Sequence, residues 1–263
     1  MTVTGQRTVK KPPKPSLRRE RELLRSGATL VAGIDEVGRG ALAGPVTVGV
    51  TIVDLDTPTA PKGLNDSKLL KAATRVSLEP RVSAWAVAHG VGDASNQEID
   101  SLGMSSALAL AALRAMQQCA IAPDVILLDG HHDWLSPPED LFSQLCGDDE
   151  FVPDDSLARL RREVLAGQPP VHTVVGGDMT CSSISAASVL AKVHRDEHMV
   201  TLAAEEPHHA YGWESNKGYG ASQHLAALLQ QGRCHHHRQS WDFPAARRTH
   251  DCRAASMEQS AVS

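Results

Sequence analysis

An apolar run at residues 28–34 ends in two adjacent acids, Asp35 and Glu36, and then passes through a glycine-rich turn into a second apolar run at 46–53. The second run, Val-Thr-Val-Gly-Val-Thr-Ile-Val, is rich in β-branched residues, which favour strands. Two strands joined by a short turn are therefore expected, with a pair of carboxylates where the first strand meets the turn. Acidic residues sit side by side at six places in the chain, so adjacency alone decides nothing. Only this pair has apolar runs on both sides. Carboxylates in such a place cost free energy unless something positive neutralises them. Two like charges about 4 Å apart repel by roughly 4 kcal/mol at an effective dielectric near 20. Either a divalent cation sits there, with hard oxygen ligands selecting magnesium or manganese, or the pair is a polar strand end facing water.

Gly38, Gly40 and Gly44 do not form a dinucleotide fingerprint. That motif needs glycine gaps of two and three residues followed by a helix. Here the second gap is four residues and a strand follows. No lysine stands where a phosphate-binding Walker loop requires one. Small residues in the turn let backbone amides approach a ligand, and Arg39 adds a fork-shaped donor suited to phosphate. Beside a metal site, the turn would seat a nucleic-acid backbone; taken without the carboxylates, it reads as an ordinary tight turn.

A chain of 263 residues can bury one substantial core. The net charge of −5 gives no global sign of nucleic-acid binding, so the distribution of charge matters more. Residues 7–25 carry eight basic side chains against Glu20 and Glu22. Residues 133–155 carry eight acids and no lysine or arginine, which reads as a solvated surface insertion. Residues 1–26 read as a flexible basic arm with helical pattern over 16–25, residues 27–243 as the folded domain, and 244–263 as a disordered tail. Five cysteines without paired spacing suggest a reducing compartment. With no apolar run long enough to cross a bilayer and no hydrophobic signal core, a cytoplasmic monomer is expected.

Apolar β-type runs fall at 28–35, 46–53, 84–91, 124–129 and 171–176, and helical periodicity at 69–81, 96–120, 155–166, 183–204 and 221–231. The order predicts an α/β domain with a mixed sheet flanked by helices and a C-terminal helical part from about residue 200 to 243. Two further acids repeat the opening pattern. Asp129 closes the apolar run 124–128 before Gly130, and Asp178 leaves a strand just before a hydroxyl-rich helix start, Ser182-Ser183. Ligands in α/β sheets gather beyond strand ends, so Asp129 meets Asp35 and Glu36 if the strands are neighbours; Asp-Gly is also an ordinary turn. Ser182 or Ser183 would cap the following helix, whose free amides form a weak anion site. The Ser-Ala-Ala-Ser face at 185–188 reads as core, and Arg195 with Asp196 as a structural ion pair. Lys217 and Tyr219 sit on a glycine-flanked turn, where the tyrosine either meets a sugar or packs. Cys234, His235, His236 and His237, with His250 and Cys252, offer zinc ligands but without the regular spacing of a zinc site.

Taken in order, Gly33-Ile-Asp35-Glu36-Val-Gly38-Arg39-Gly40-Ala-Leu-Ala-Gly-Pro45, Asn65-Asp-Ser-Lys68, Leu128-Asp-Gly130, Gly177-Asp178, the 185–196 helix, Lys217-Gly-Tyr-Gly220 and His237-Arg-Gln-Ser240 before Trp241 resemble bacterial ribonuclease HII. The resemblance implies a ribonuclease H-like fold and endonucleolytic hydrolysis of the RNA strand of RNA–DNA hybrids and at single ribonucleotides in duplex DNA. It further implies 3′-hydroxyl and 5′-phosphate products and a divalent metal, Mn2+ or Mg2+; two such ions acting together are the expected mechanism. Position by position, Asp35, Glu36 and Asp129 match the metal-binding acids and Asp178 the fourth acid. Gly38, Arg39, Gly40 and Tyr219 match the elements that read the ribonucleotide junction through its 2′-hydroxyl, with Lys68 and Lys217 as candidate phosphate contacts. Val37 stands where alanine is usual and Ala41 where proline is common. Against the related ribonuclease HIII, the N-terminal extension is too short for a domain and the fourth acid is aspartate. The competing reading is a catalytically silent nucleic-acid or metal-binding protein on the same scaffold.

Overall fold

The computed structural model describes residues 14–137, 156–205 and 208–242. Five strands, β1 (Val31–Val37), β2 (Val46–Val53), β3 (Ala88–Ala94), β4 (Val125–Asp129) and β5 (Val171–Val174), form one sheet in the order β3-β2-β1-β4-β5. β1 pairs antiparallel with β2 and β2 with β3, whereas β1–β4 and β4–β5 are parallel. The sheet is mixed because the turn at 38–45 is short enough only for an antiparallel return, while each parallel neighbour is reached through a helix.

The described helices are α1 (Arg18–Arg25), α2 (Ala72–Trp85), α3 (Asn96–Leu102), α4 (Met104–Cys119), α5 (Ser156–Val164), α6 (Gly177–Thr180), α7 (Ser182–Ala204), α8 (Trp213–Asn216) and α9 (Ser222–Gln231). Alternation along β1 divides the core. Ala32 and Ile34 join the cluster formed with Leu108, Ala111 and Leu113 of α4, while Val31 joins Ile184 of α7 in a second cluster. A Cβ on Gly33 would come within 2.4 Å of Ser183, and one on Gly49 within 2.2 Å of the Ala187 carbonyl. The absence of side chains there lets α7 lie directly on the sheet. The buried Ser185-Ala-Ala-Ser188 segment supplies the matching small face. Beyond the sheet, Met199 and Leu202 of α7 build a smaller core with Tyr211, Trp213 and Leu228, which is the helical C-terminal part. No described helix is long and apolar enough to cross a membrane.

Four expectations are corrected. β3 begins at Ala88, not 84, because α2 runs through Pro80 to Trp85, whose indole N–H donates to the Pro58 carbonyl at 2.8 Å. The helix expected over 96–120 is two helices, broken at Gly103, whose φ of 78° and ψ of 162° no helix accommodates. The arm is not free along residues 14–26. Leu17 and Leu24 are buried against the sheet's second cluster, and Glu20 of α1, 0% exposed, accepts hydrogen bonds from the Ser183 N–H and Oγ, both at 2.8 Å. The acidic segment opens with a core contribution, since Trp134 and Leu135 are buried in the α4 cluster. Residues 1–13, the rest of the acidic segment from 138 to 155, and the tail from 243 onward lie outside the described residues.

Candidate active site

β1 and β4 run parallel, in register from Val31 opposite Val125 to Ile34 opposite Leu128. Asp35 and Asp129 are the next residue on each strand, so the two apolar runs end side by side with a carboxylate apiece. Strand alternation turns Asp35 toward α7 and Glu36 toward the other face. Asp178 arrives from the turn after β5. Asp129 Oδ1 accepts from the Gly177 N–H at 2.7 Å and the Asp178 N–H at 3.4 Å, which clamps the third and fourth acids together. Asp35 Oδ1 accepts from the Glu36 N–H at 2.8 Å.

The electrostatics are strained in one direction. Asp35 is 2% exposed. Burial, then the Asp129 and Glu36 charges, push its pKa well above the ordinary carboxylate value, opposed only in part by Ser188 and Lys68. Burial also raises Glu36, with Arg39 opposing and Asp129 reinforcing the shift. Asp178 is raised by burial and by Asp129 and Asp66. Lys68 is the counter-charge: its Nζ lies 3.6 Å from Asp178 Oδ2. Burial works against its ammonium, but Asp35, Asp178 and the other nearby acids outweigh that and raise its pKa. Asp35 Oδ2 is buried without a hydrogen-bond partner among the described residues. A crowd of carboxylates with one lysine and one orphaned buried oxygen fits a hard divalent cation, because such a cation removes the repulsion and occupies the orphan. Asp35, Glu36, Asp129 and Asp178 are the residues that could hold it.

The 38–45 loop borders these acids. Arg39 NH1 lies 3.6 Å from Glu36 Oε1, and half of the Arg39 side chain is exposed. Gly38 has φ +90°, and a Cβ there would strike the Arg195 guanidinium at 2.1 Å; this is the glycine the loop requires. Its N–H donates to the Tyr219 hydroxyl at 3.1 Å. Gly40 borders open space. Lys217 is on the neighbouring turn, but its ammonium donates to its own turn's Glu214 carbonyl, so it is not gathered with the acids as Lys68 is.

Several residues that hold this geometry escape sequence reasoning. Arg195 was expected to pair with Asp196. Instead Asp196 is held by Arg75 at 3.1 Å and Lys192 at 2.6 Å. Arg195, fully buried, donates to the carbonyls of Pro45 (2.8 Å), Lys217 (2.9 Å) and Ala43 (3.2 Å), and its guanidinium lies 5.5 Å from the Tyr219 ring centroid. Arg238 donates to the carbonyls of Gly38 (2.6 Å) and Arg39 (2.8 Å). His224 holds the Tyr219 carbonyl at 2.9 Å through Nδ1. The two arginines satisfy loop carbonyls rather than carboxylates, and no spacing rule announces that. Nor do the helix-start serines cap their helix: Cys181 is the N-cap residue, without a side-chain cap bond, and the amide anion site is filled from outside by Glu20. Of the cysteine–histidine set, Cys234 and His237 contact each other at 3.2 Å and His237 contacts His224 at 3.0 Å, while His250 and Cys252 lie outside the described residues.

The mixed sheet, the helix laid across it and the acids at adjacent strand ends define a nuclease of ribonuclease H-like fold. The Ribonuclease HII family model matches residues 32–243, and the Ribonuclease HII of Streptomyces griseus is 43% identical over 219 residues, covering 83% of this chain and 79% of that protein. Among solved structures, the ribonuclease H2 of Pyrococcus horikoshii is similar in fold, with TM-score 0.55 and 23% identity over 84% of this chain and 96% of that one. Bst-RNase HIII in complex with Mn2+ gives TM-score 0.52 and 22% identity over 87% and 70%. The chain belongs to the ribonuclease HII family, a class of hydrolytic endonucleases acting on the RNA strand of RNA–DNA hybrids.

Proposed function

We propose that this endonuclease also cuts at single ribonucleotides embedded in duplex DNA, leaving 3′-hydroxyl and 5′-phosphate ends, with Asp35, Glu36, Asp129 and Asp178 holding two divalent ions, Mn2+ or Mg2+. The observation that carries this reading is a buried, unpartnered Asp35 carboxylate oxygen on which the Asp129 and Glu36 charges bear, with Asp178 clamped to Asp129. Such an arrangement costs stability by itself and becomes favourable with cations present. When bound, two ions supply activation of a water and charge stabilisation of the leaving 3′-oxygen. A related ribonuclease HIII that shares the fold holds Mn2+, which favours the same chemistry here.

The chain's own residues do the remaining work. Asp129, fixed by two backbone amides, keeps its second oxygen available for an ion. Lys68 offsets the charge of Asp178 and Asp35 and reaches the scissile phosphate. Gly38, Arg39 and Gly40 hold the strand at the junction, with the exposed Arg39 fork on a phosphate. Tyr219, its ring against Arg195 and its hydroxyl against the Gly38 N–H, lies against the ribose and reads its 2′-hydroxyl. Lys217 contacts phosphate after releasing the Glu214 carbonyl.

The test compares cleavage of an RNA–DNA hybrid, a duplex with one ribonucleotide and an all-DNA duplex, each with Mn2+ or Mg2+. We expect cutting of the first two only. Asp129→Asn should lose roughly a hundredfold or more in rate while duplex affinity stays within a few-fold. Unchanged turnover in that variant removes the acids from the reaction, and metal-independent binding without any nicking would favour the silent-scaffold reading.

A further inference from the structure

Three histidines that the reaction does not use converge beside the C-terminal motif. His208 opens the short 3-10 turn His208–Tyr211, and His235 and His236 stand in the loop before Arg238. One ring nitrogen from each lies within 4.8 Å of the other two. The His235 and His236 ring centroids are 3.9 Å apart, and those of His208 and His236 are 4.9 Å apart.

The details favour metal ligation over ring packing. His208 Nδ1 sits 3.1 Å from the Leu202 carbonyl. That contact assigns the proton to Nδ1 and leaves the Nε2 lone pair free, as a carbonyl behind a ligating imidazole does. His236 Nε2 is buried with no hydrogen-bond partner among the described residues. The loop backbone is pinned on both sides, with the His236 carbonyl accepting from the Gly44 N–H at 2.9 Å and the His235 carbonyl from Asn96 Nδ2 at 2.8 Å. Trp213 packs near His208 at 5.2 Å and His236 at 6.1 Å, giving the site an apolar wall. His235 is the exposed member, free to turn in.

We propose that His208, His235 and His236 form a transition-metal site, taking Zn2+ through three neutral imidazoles with water in the fourth position, distinct from the acidic pocket. The ligand chemistry separates the two: imidazole suits zinc, copper and nickel, whereas carboxylates suit magnesium and manganese. Bonds of about 2.0–2.1 Å in a tetrahedral site place ligand nitrogens about 3.4 Å apart. With the nitrogens within 4.8 Å of one another, closing to that spacing asks for at most about 1.4 Å of movement, which rotation of the exposed His235 ring supplies. Bound metal would staple the turn after α7 to the loop carrying Arg238, and Arg238 holds the Gly38 and Arg39 carbonyls. The site is thus a brace for the loop beside the acids.

The experiment uses tag-free full-length protein stripped with chelator and titrated calorimetrically with Zn2+, in the Asp129→Asn background so that the acidic pocket contributes least. We expect one Zn2+ per chain with Kd in the micromolar range or tighter, at least a hundredfold weaker binding in His236→Asn, and a Tm rise of roughly 5–10 °C at a hundredfold excess over Kd. Co2+ should give the intense visible bands of a four-coordinate ion, absent in His236→Asn. If the buried His208→Asn variant fails to fold, His235→Asn, at an exposed position, carries the test. Zn2+ bound equally well by His235→Asn and His236→Asn, or not bound by the parent below about 1 mM, overturns the proposal.

Discussion

Tyr219 shows how single residues of this protein acquire their roles from partners far along the chain. Its hydroxyl accepts from Gly38, 181 residues away, its ring lies by the Arg195 guanidinium, and its carbonyl is held by His224. The ring-to-arginine contact and the carbonyl bond are independent of the hydroxyl. Tyr219→Phe should therefore fold normally while the Gly38 amide loses its partner. Cleavage at an embedded ribonucleotide should fall roughly tenfold, the equivalent of losing one hydrogen bond worth about 1.4 kcal/mol. Hybrid cleavage should fall less, since many ribose contacts substitute for one. Equal kcat/KM for variant and parent on the singly substituted duplex would reduce the hydroxyl to a loop support. The sequence left Tyr219 between sugar contact and packing; its neighbours show the packing, and the Tyr219→Phe comparison tests the sugar contact.

At the scale of elements, charge pairs tie helices to strand edges. On β3, burial pushes Asp93 up, but hydrogen bonds from His194 of α7 and from Thr47 outweigh it and hold its pKa below the ordinary value. The Asp93 bond, opposed by burial, raises His194, and the pair stands at 2.7 Å. Histidine raised in the fold contributes fully below its unfolded value and loses that contribution as pH rises through its folded value. Aspartate held low contributes above its unfolded value and loses it as pH falls. The pair is therefore at full strength between about pH 4 and 6.5. With the His194 side chain 45% exposed, its worth is about 0.5 kcal/mol. His194→Gln should lower stability by about that amount at pH 5.5 and by much less at pH 8.5, read from urea melts at both values. A loss equal at the two pH values would make the contact a neutral hydrogen bond only. β2 was legible because its β-branched run carries its own signal; β3, with Val91 its one β-branched residue, was displaced by four residues at its start. The break at Gly103 and the run of α2 through Pro80 were not, because backbone conformation at a single residue is settled by what packs around it.

Across the whole molecule, α1 closes the back of the fold by placing an acid on the start of α7. Burial raises the pKa of Glu20 while the Ser183 amide and hydroxyl oppose that shift, and the helix dipole favours an anion at that end. Removing residues 1–26 takes away Glu20, Leu17 and Leu24 together. At about 1.5–3 kcal/mol for each buried leucine, a loss near 4 kcal/mol is expected, seen as a fall in Tm of roughly 8–16 °C. A truncated protein melting with the parent would show that α1 only rests on the domain. What the chain's residues determined alone is the existence of the strands, the long helix and which acids follow their apolar runs, since apolar periodicity and the solvation cost of carboxylates are local properties. Only the tertiary structure decided which of these ends meet, that Arg195 and Arg238 hold carbonyls instead of acids, and that His208 joins His235 and His236. Those outcomes depend on strand order and on burial, where a polar group must take whatever partner the fold brings within hydrogen-bond reach.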